Sequence, residues 1–232
     1  MPISKNSGKK SFLMKHIKTV VFDLDGTLLD SIPDIASAMN TVLSENGLPT
    51  HTREEYISFI GDGVAQLVHR SLGKQDTPAL FEKVRREYSA QYSAHAAEKT
   101  EPFDGILQAL DALTGSYRLA ILSNKGDADV KKLTVQYFGT RFASAFGQFG
   151  NYKVKPSPDL LFVTAKELGV SEKDLIFVGD SPVDVETAHA AGIPCIAVEW
   201  GYRTREQLIA AGCDYLCKQP TDLPAVIREA DV

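Results

Sequence analysis

A single short strand near the start of the chain, separated from every other predicted strand by a long helical block, constrains the fold most. Residues 18–23 form a β-branched run that ends abruptly in acidic and glycine residues, which is typical of a buried strand. From residue 31 to about residue 100, apolar residues recur at helical spacing, as at Ile35, Met39 and Val42. An isolated strand cannot satisfy its own backbone donors and acceptors. The first strand must therefore pair with strands that follow the helical block.

After Pro102, the predicted elements alternate between helix and strand. A helix begins at Ile106, and strands are predicted at 118–122, 175–178, 194–198 and 214–216. This order predicts a parallel sheet that is covered on both faces. We therefore expect an α/β protein with a Rossmann-like three-layer core and an inserted all-helical cap. The predicted boundaries are a flexible leader at 1–17, the core at 18–30 and 101–232, and the cap at 31–100.

Composition excludes several classes of protein. The chain has 232 residues, 44% of them hydrophobic, which is enough for a sizeable core. Its net charge of −5 argues against nucleic acid as a partner, because binding to a phosphate backbone needs clustered Lys and Arg. No apolar run approaches the roughly 20 residues that span a bilayer, so no membrane partner is expected. Three cysteines (Cys195, Cys213 and Cys217) and no signal-peptide core indicate reduced thiols in the cytoplasm.

Polar side chains follow the predicted strands at the sheet edge where ligands bind in open parallel sheets. The acidic members are Asp23, Asp25, Asp180 and Asp184, and the others are Ser123, Asn124 and Lys155. Clustered carboxylates need a compensating cation, and hard oxygen ligands without Cys or His favour Mg²⁺. A hydroxyl and a lysine beside them can hold a phosphate. This combination predicts phosphoryl transfer.

The spacing of Asp23 and Asp25 indicates a mechanism. Two residues two positions apart point in one direction as a strand ends, and Gly26 then allows a tight turn. One carboxylate can attack phosphorus to form an aspartyl-phosphate, and the second can act as general acid and base. Lys155 would offset charge on the transferring group.

These residues resemble the four motifs of the haloacid dehalogenase superfamily of phosphotransferases. The matching segments are Asp23 to Ser31, Ser123 to Lys125, Lys155-Pro156 and Gly179 to Asp184. The helical insertion after the first motif resembles the helical cap of that superfamily. Within it, the chain is most similar to phosphoglycolate phosphatases, through residues 61–63, 187–192 and 200–203.

The resemblance implies a role for each matching residue. Asp23 would be the nucleophile and a metal ligand, and Asp25 the general acid and base with its backbone carbonyl on the metal. Asp180 would complete the Mg²⁺ site, and Asp184 would act through water or orient Lys155. Lys155 would balance charge, with Lys125 and Lys153 as alternatives for that cation. Gly26, Thr27, Ser123 and Asn124 would bind the phosphate together with Lys155.

The function implied is a Mg²⁺-dependent phosphatase for a small phosphorylated metabolite, and the resemblance implies 2-phosphoglycolate as that substrate. Dehalogenases lack the second acid of the first motif, so Asp25 favours phosphate esters. Three alternatives stay open: pyrophosphate or a sugar phosphate as substrate, phosphomutase activity, and a silent phosphate- or partner-binding module. His69, Arg70 and Lys74 of the cap are candidates to meet a substrate carboxylate. The chain is expected to be a monomer or a homodimer.

Overall fold

A parallel β-sheet forms the centre of the protein in a computed structural model that describes residues 16–231. Within these residues the sheet has six strands: β1 (Thr19–Phe22), β4 (Arg118–Gly126), β5 (Ser144–Gln148), β6 (Leu175–Gly179), β7 (Cys195–Val198) and β8 (Tyr215–Cys217). Their order is β5-β4-β1-β6-β7-β8, and every neighbouring pair is parallel. The first strand therefore lies in the middle of the sheet, between β4 and β6. The predicted leader lies outside the described residues as far as residue 15.

Helices cover both faces of this sheet. They are α5 (Ile106–Leu113), α6 (Asp127–Phe138), α7 (Asp159–Leu168), α8 (Pro182–Ala191), α9 (Arg205–Ala210) and α10 (Leu223–Ala230). Side chains of β1 alternate between two hydrophobic clusters, with Val20 and Phe22 in one and Val21 in the other. All four residues of β1 are buried because both faces are covered. The predicted three-layer α/β fold is confirmed.

Four further helices lie in the chain between β1 and β4. They are α1 (Ile32–Glu45), α2 (Arg53–Phe59), α3 (Gly63–Leu72) and α4 (Pro78–His95). Two short antiparallel strands, β2 (Leu29–Asp30) and β3 (Glu101–Pro102), flank them. The chain thus leaves the core and returns to it at adjacent points. We call residues 31–100 the cap, and their division from the core at those boundaries stays a prediction.

Two elements of the sheet differ from the sequence expectation. The edge strand β5 has the sequence Ser-Ala-Phe-Gly-Gln, which carries no β-branched residue, and it pairs only with β4. Strand β4 continues to Gly126 instead of ending at Leu122. Ser123, Asn124 and Lys125 therefore lie within the strand, where its pairing with β5 is irregular between Leu122 and Gly126. Both differences arise from pairing with a distant neighbour, which local propensity does not report.

The surroundings of the cysteines and the lengths of the helices are two further features of the fold. Cys195, Cys213 and Cys217 are free and buried, and each lies in or beside a strand. No helix within residues 16–231 combines the length and the apolar character that crossing a bilayer requires.

Candidate active site

The polar residues predicted at the strand ends converge at one edge of the sheet. Asp23 directly follows β1, and Asp180 directly follows β6, its neighbour on one side. Ser123 and Asn124 lie near the end of β4, the neighbour on the other side. The strands that follow β1 in the chain are placed on both sides of it. An open parallel sheet forms its ligand-binding crevice at such a position.

Three buried carboxylates form a compact cluster. One oxygen from each of Asp23, Asp180 and Asp184 lies within 4.8 Å of the others. Burial and the charge of Asp184 raise the pKa of Asp180 to about 7. Burial also raises the pKa of Asp23 well above its ordinary value, although Lys155 acts in the opposite direction. A cation among these oxygens would relieve both effects, and a set of hard oxygen donors fits Mg²⁺.

Lys155 supplies positive charge to this cluster. Its Nζ lies 2.7 Å from Asp184 Oδ1 and 2.8 Å from Asp23 Oδ1. Burial disfavours the charged ammonium, but the attraction of Asp184 and Asp23 outweighs it and raises the pKa of Lys155. Asn124 fixes the backbone of this lysine, since its Oδ1 accepts from the N–H of Lys155 at 2.7 Å. The lysine therefore stays charged and fixed beside the predicted nucleophile.

The two oxygens of Asp23 have different surroundings. Oδ1 accepts a hydrogen bond from the N–H of Leu24 at 2.7 Å and pairs with Lys155. Oδ2 has no hydrogen-bond partner among residues 16–231. Asp23 also lines the cavity described below, so Oδ2 is available to a ligand there.

Asp184 is held on both sides. Its Oδ1 pairs with Lys155, while its Oδ2 accepts from the hydroxyl of Ser181 at 2.7 Å and from the Ser181 N–H at 3.1 Å. A Cβ on Gly179 would lie only 2.3 Å from Asp184 Cγ, so the strand end must be glycine for Asp184 to pack there. These contacts are the ones that an orienting role for Asp184 requires.

Asp25 lies apart from the three-carboxylate cluster. Its Oδ1 accepts from the hydroxyl of Ser31 at 2.5 Å, and its Oδ2 lies 3.1 Å from Nζ of Lys125. The carboxylate is therefore oriented by one residue at the entrance to the cap and by one at the end of β4.

Gly26 and Thr27 support Asp180. Gly26 has φ +86°, and a Cβ at this position would come within 2.5 Å of Asp180 Oδ2. The hydroxyl of Thr27 donates to Asp180 Oδ1 at 3.2 Å, and the N–H of Tyr202 donates to Asp180 Oδ2 at 2.8 Å. Neither Gly26 nor Thr27 lines the cavity, so a phosphate contact from them stays a prediction.

A cavity of about 220 Å³ lies between the sheet edge and the cap. On the core side it is lined by charged and polar residues: Asp23, Asp25, Ser123, Asn124, Lys125, Lys155 and Asp180. On the cap side it is lined mainly by apolar and aromatic residues: Ile35, Ile60, Val64, Leu67, Tyr88 and Tyr92. The structure thus places most of the predicted site residues around one space of metabolite size.

Side chains of the core hold the cap against the site. The guanidinium of Arg203 donates to the carbonyls of Ile57 at 2.7 Å and Ile60 at 2.8 Å. The side-chain N–H₂ of Asn124 donates to the carbonyl of Gly61 at 2.9 Å. Sequence reasoning assigned no such role to Arg203 or to the Asn124 side chain. The only signal for Arg203 was its place in the resemblance at residues 200–203.

The charged cap residues predicted to meet a substrate do not line the cavity. Arg70 donates to Asp62 Oδ2 at 2.5 Å, and His69 Nδ1 lies 2.6 Å from Asp76 Oδ2. Lys74 is exposed. These groups have partners within the cap or face solvent, so the prediction that they contact the substrate is not supported.

Comparison with known proteins places the chain in a family. Residues 20–198 match the family model described as haloacid dehalogenase-like hydrolase. The chain belongs to this family of hydrolases, as the four motifs predicted.

Similar proteins show which class of hydrolase the chain resembles. The phosphoglycolate phosphatase of Chromobacterium violaceum is 39% identical over 197 residues, which cover 82% of this chain and 88% of the relative. That of Thiobacillus denitrificans is 36% identical over 203 residues, covering 83% and 87%. The crystal structure of a candidate phosphoglycolate phosphatase from Lactobacillus delbrueckii subsp. bulgaricus has a TM-score of 0.87 at 29% identity, covering 91% and 98%. The predicted class, a phosphoric monoester hydrolase similar to phosphoglycolate phosphatases, is confirmed.

Proposed function

We propose that this protein is a Mg²⁺-dependent phosphatase that hydrolyses 2-phosphoglycolate through an aspartyl-phosphate. The observation that carries the proposal is the position of Asp23, which follows the central strand, pairs with Lys155 and clusters with two further carboxylates. The names of the relatives from Chromobacterium violaceum and Thiobacillus denitrificans support the substrate.

Asp23 and Asp180, with the backbone carbonyl of Asp25, would hold the Mg²⁺, and Asp184 stands beside them. Their fit rests on the donor set, which consists of buried hard oxygens with excess negative charge. When bound, the ion supplies neutralising charge to the transferring phosphoryl group.

In the first step, Oδ2 of Asp23 attacks phosphorus because Oδ1 is occupied by Lys155 and the Leu24 N–H. The hydroxyl of Ser123 and the backbone N–H of Asn124 donate to the phosphate oxygens. The bond between phosphorus and the ester oxygen breaks, and Asp25, which must enter this step protonated, gives that proton to the departing glycolate. Asp23 then carries the phosphoryl group.

In the second step, Asp25 accepts a proton from a water that attacks phosphorus. The bond between phosphorus and Asp23 breaks, inorganic phosphate leaves, and both carboxyl groups return to their starting states. Lys155 keeps its charge throughout and faces the nucleophile, so it stabilises the added negative charge of each transition state.

The experiment that tests the substrate is a comparison of kcat/KM across 2-phosphoglycolate, pyrophosphate and several sugar phosphates, with Mg²⁺ and with EDTA. We expect 2-phosphoglycolate to lead the panel and EDTA to abolish turnover. A higher kcat/KM for pyrophosphate or for a sugar phosphate would identify that compound as the substrate instead. A phosphorylated sugar as the product would indicate a mutase. If the folded protein hydrolyses no compound of the panel, the result would favour a phosphate- or partner-binding module without catalytic activity.

We also propose a cytoplasmic location, which the three free thiols support. The partner is then a small phosphorylated metabolite, and a monomer or a homodimer suffices because the described residues of one chain supply every proposed role. Size-exclusion chromatography with light scattering separates the two assemblies.

A further inference from the structure

Lys125 is a buried cation of the cavity that the proposed chemistry does not use. Among the described residues, three cationic side chains line the cavity: Lys125, Lys155 and Arg203. Lys155 binds two carboxylates of the cluster, and Arg203 binds two backbone carbonyls of the cap. Both are therefore committed to partners in the protein, which leaves Lys125 as the cation for a ligand.

The ammonium of Lys125 can donate further hydrogen bonds. It lies 3.1 Å from Oδ2 of Asp25 and 4.3 Å from the centre of the Tyr92 ring. An ammonium carries three N–H donors, and the ring face takes its charge without accepting a conventional hydrogen bond. The adjacent carboxylate of Asp25 favours the charged form of the amine. The group is thus a cation at the cavity wall with N–H donors left for a ligand.

Among the described residues, the rest of that space offers an anion no further positive charge. The acidic Asp129 also lines it, and its Oδ1 accepts a hydrogen bond from the hydroxyl of Ser93 at 2.8 Å. The cap side of the cavity presents mainly apolar and aromatic groups, among them Ile60, Val64 and Leu67. Lys125 comes two residues after Ser123 in β4, both residues line the cavity, and the backbone N–H of Lys125 donates to the Ser123 hydroxyl at 3.2 Å. A small ligand whose phosphate contacts Ser123 therefore extends toward Lys125.

We propose that Lys125 binds a second anionic group of the substrate and selects phosphomonoesters that carry one close to the phosphate. The inference deepens the proposed function, in which that group is the carboxylate of 2-phosphoglycolate. Lys125 is then a specificity-determining residue, because the cap wall of the cavity is mainly apolar and aromatic. The competing role is that of a positioning residue, which acts on the substrate only through Asp25.

A ratio of two substrates separates these roles. We would measure kcat/KM for 2-phosphoglycolate and for 2-hydroxyethyl phosphate, in which an uncharged hydroxymethyl group replaces the carboxylate. Lys125→Met keeps the length of the side chain but removes its charge. We expect this variant to lower the ratio by about 10- to 100-fold, the usual range for a lost charge-assisted hydrogen bond. Lys125→Arg should retain part of the preference.

The matched control is Lys131→Met on α6, because that lysine is 58% exposed and pairs with Asp127 on its own helix. It should leave the ratio unchanged. The ratio does not depend on how much of a variant is folded, since both substrates meet the same active molecules. An equal loss for both substrates in Lys125→Met would overturn the inference and make Lys125 a positioning residue for Asp25.

The outcome for Lys125 is distinguishable from failure of the proposed function. That function fails when the wild-type protein prefers another substrate on the panel or hydrolyses none. The inference fails when Lys125→Met leaves the ratio unchanged, or when the wild-type protein shows no preference for the anionic member. If the protein shows no turnover, calorimetry can give the corresponding ratio of Kd values. The ligands are then 3-phosphonopropionate, which carries the carboxylate, and 3-hydroxypropylphosphonate, which does not.

Discussion

The two walls of the cavity are built in opposite ways. On the core wall, charged side chains bind one another: Lys155 pairs with Asp23 and Asp184, and Asp25 pairs with Lys125. The cap wall consists mainly of apolar and aromatic side chains, and the core holds it through hydrogen bonds to its backbone carbonyls.

This difference separates the effects of charge from the effects of shape. A charge on the core wall cannot be removed without leaving a buried partner uncompensated, so each change there costs both activity and stability. On the cap wall, a change of side chain leaves the bonds to backbone carbonyls intact and alters only the shape that a substrate meets. The core wall should tolerate almost no substitution, whereas the cap wall should tolerate many.

The largest effect is expected from Asp23→Asn, which removes the nucleophile while keeping its shape. We expect kcat for phosphate release to fall by about 10⁴-fold or more, as when a covalent nucleophile is removed elsewhere. Asp104→Asn, at an exposed position, is the control and should retain full activity. Unchanged turnover in Asp23→Asn would show that another residue attacks phosphorus.

Lys155→Met should come next, because it leaves Asp23 and Asp184 buried without their counter-charge. We expect kcat to fall by about 10³-fold and the free energy of unfolding in urea to fall by about 3–5 kcal/mol. Lys153→Met is the matched control, since Lys153 lies two residues away in the same loop and is exposed. A larger loss in Lys153→Met than in Lys155→Met would move the catalytic cation to Lys153.

Asp180 should make the stability of the metal-free protein depend on pH. Its pKa rises from 3.8 to about 7 on folding, so between these values the folded state binds more protons than the unfolded state. Stability is then fully present below the lower value and is lost as the pH rises toward the upper one. We expect Tm in EDTA, relative to Asp180→Asn, to fall by about 5 °C from pH 5 to pH 7.5.

Adding Mg²⁺ provides the second arm of this test. It should raise the wild-type Tm more at pH 7.5 than at pH 5, because the ion binds the deprotonated carboxylates. A difference in Tm between wild type and Asp180→Asn that does not change with pH would contradict the raised pKa.

Sequence reasoning found the core wall because its signals are local. Asp23 and Asp180 each follow a short apolar run, and the edge of a parallel sheet brings such residues together. The same reasoning did not assign β5, because its residues are strand-forming only in contact with β4.

The cap wall was less predictable, since its key contacts join residues that are far apart in the chain. Arg203 meets the carbonyl of Ile57 across 146 positions, and the side chain of Asn124 meets the carbonyl of Gly61 across 63. The sequence suggested Arg70 as a contact for a substrate anion, because a sequence shows the charge of a side chain but not where the side chain points. In the structure its guanidinium donates to Asp62 instead. A sequence pattern therefore predicts which chemical groups are present more reliably than it predicts which of them contact one another.

The smallest effect is expected from Asn124→Ala, which separates the two walls without removing a charge. The side chain joins the cap carbonyl of Gly61 to the backbone of Lys155 through three hydrogen bonds. Their loss should lower kcat/KM by about 10-fold and stability by about 1–3 kcal/mol, since the Lys155 N–H is left buried and unpaired. Asn151→Ala, in an exposed loop, is the control and should change neither quantity.

The way in which Asn124→Ala loses activity tests the comparison itself. A loss confined to KM would mean that the cap wall closes over the substrate but does not influence the core wall. A loss in kcat would mean that the Gly61 contact also places Lys155 against Asp23, so that cap and chemistry are coupled through one amide. The structure favours a loss in kcat, because two of the three bonds end on Lys155 itself.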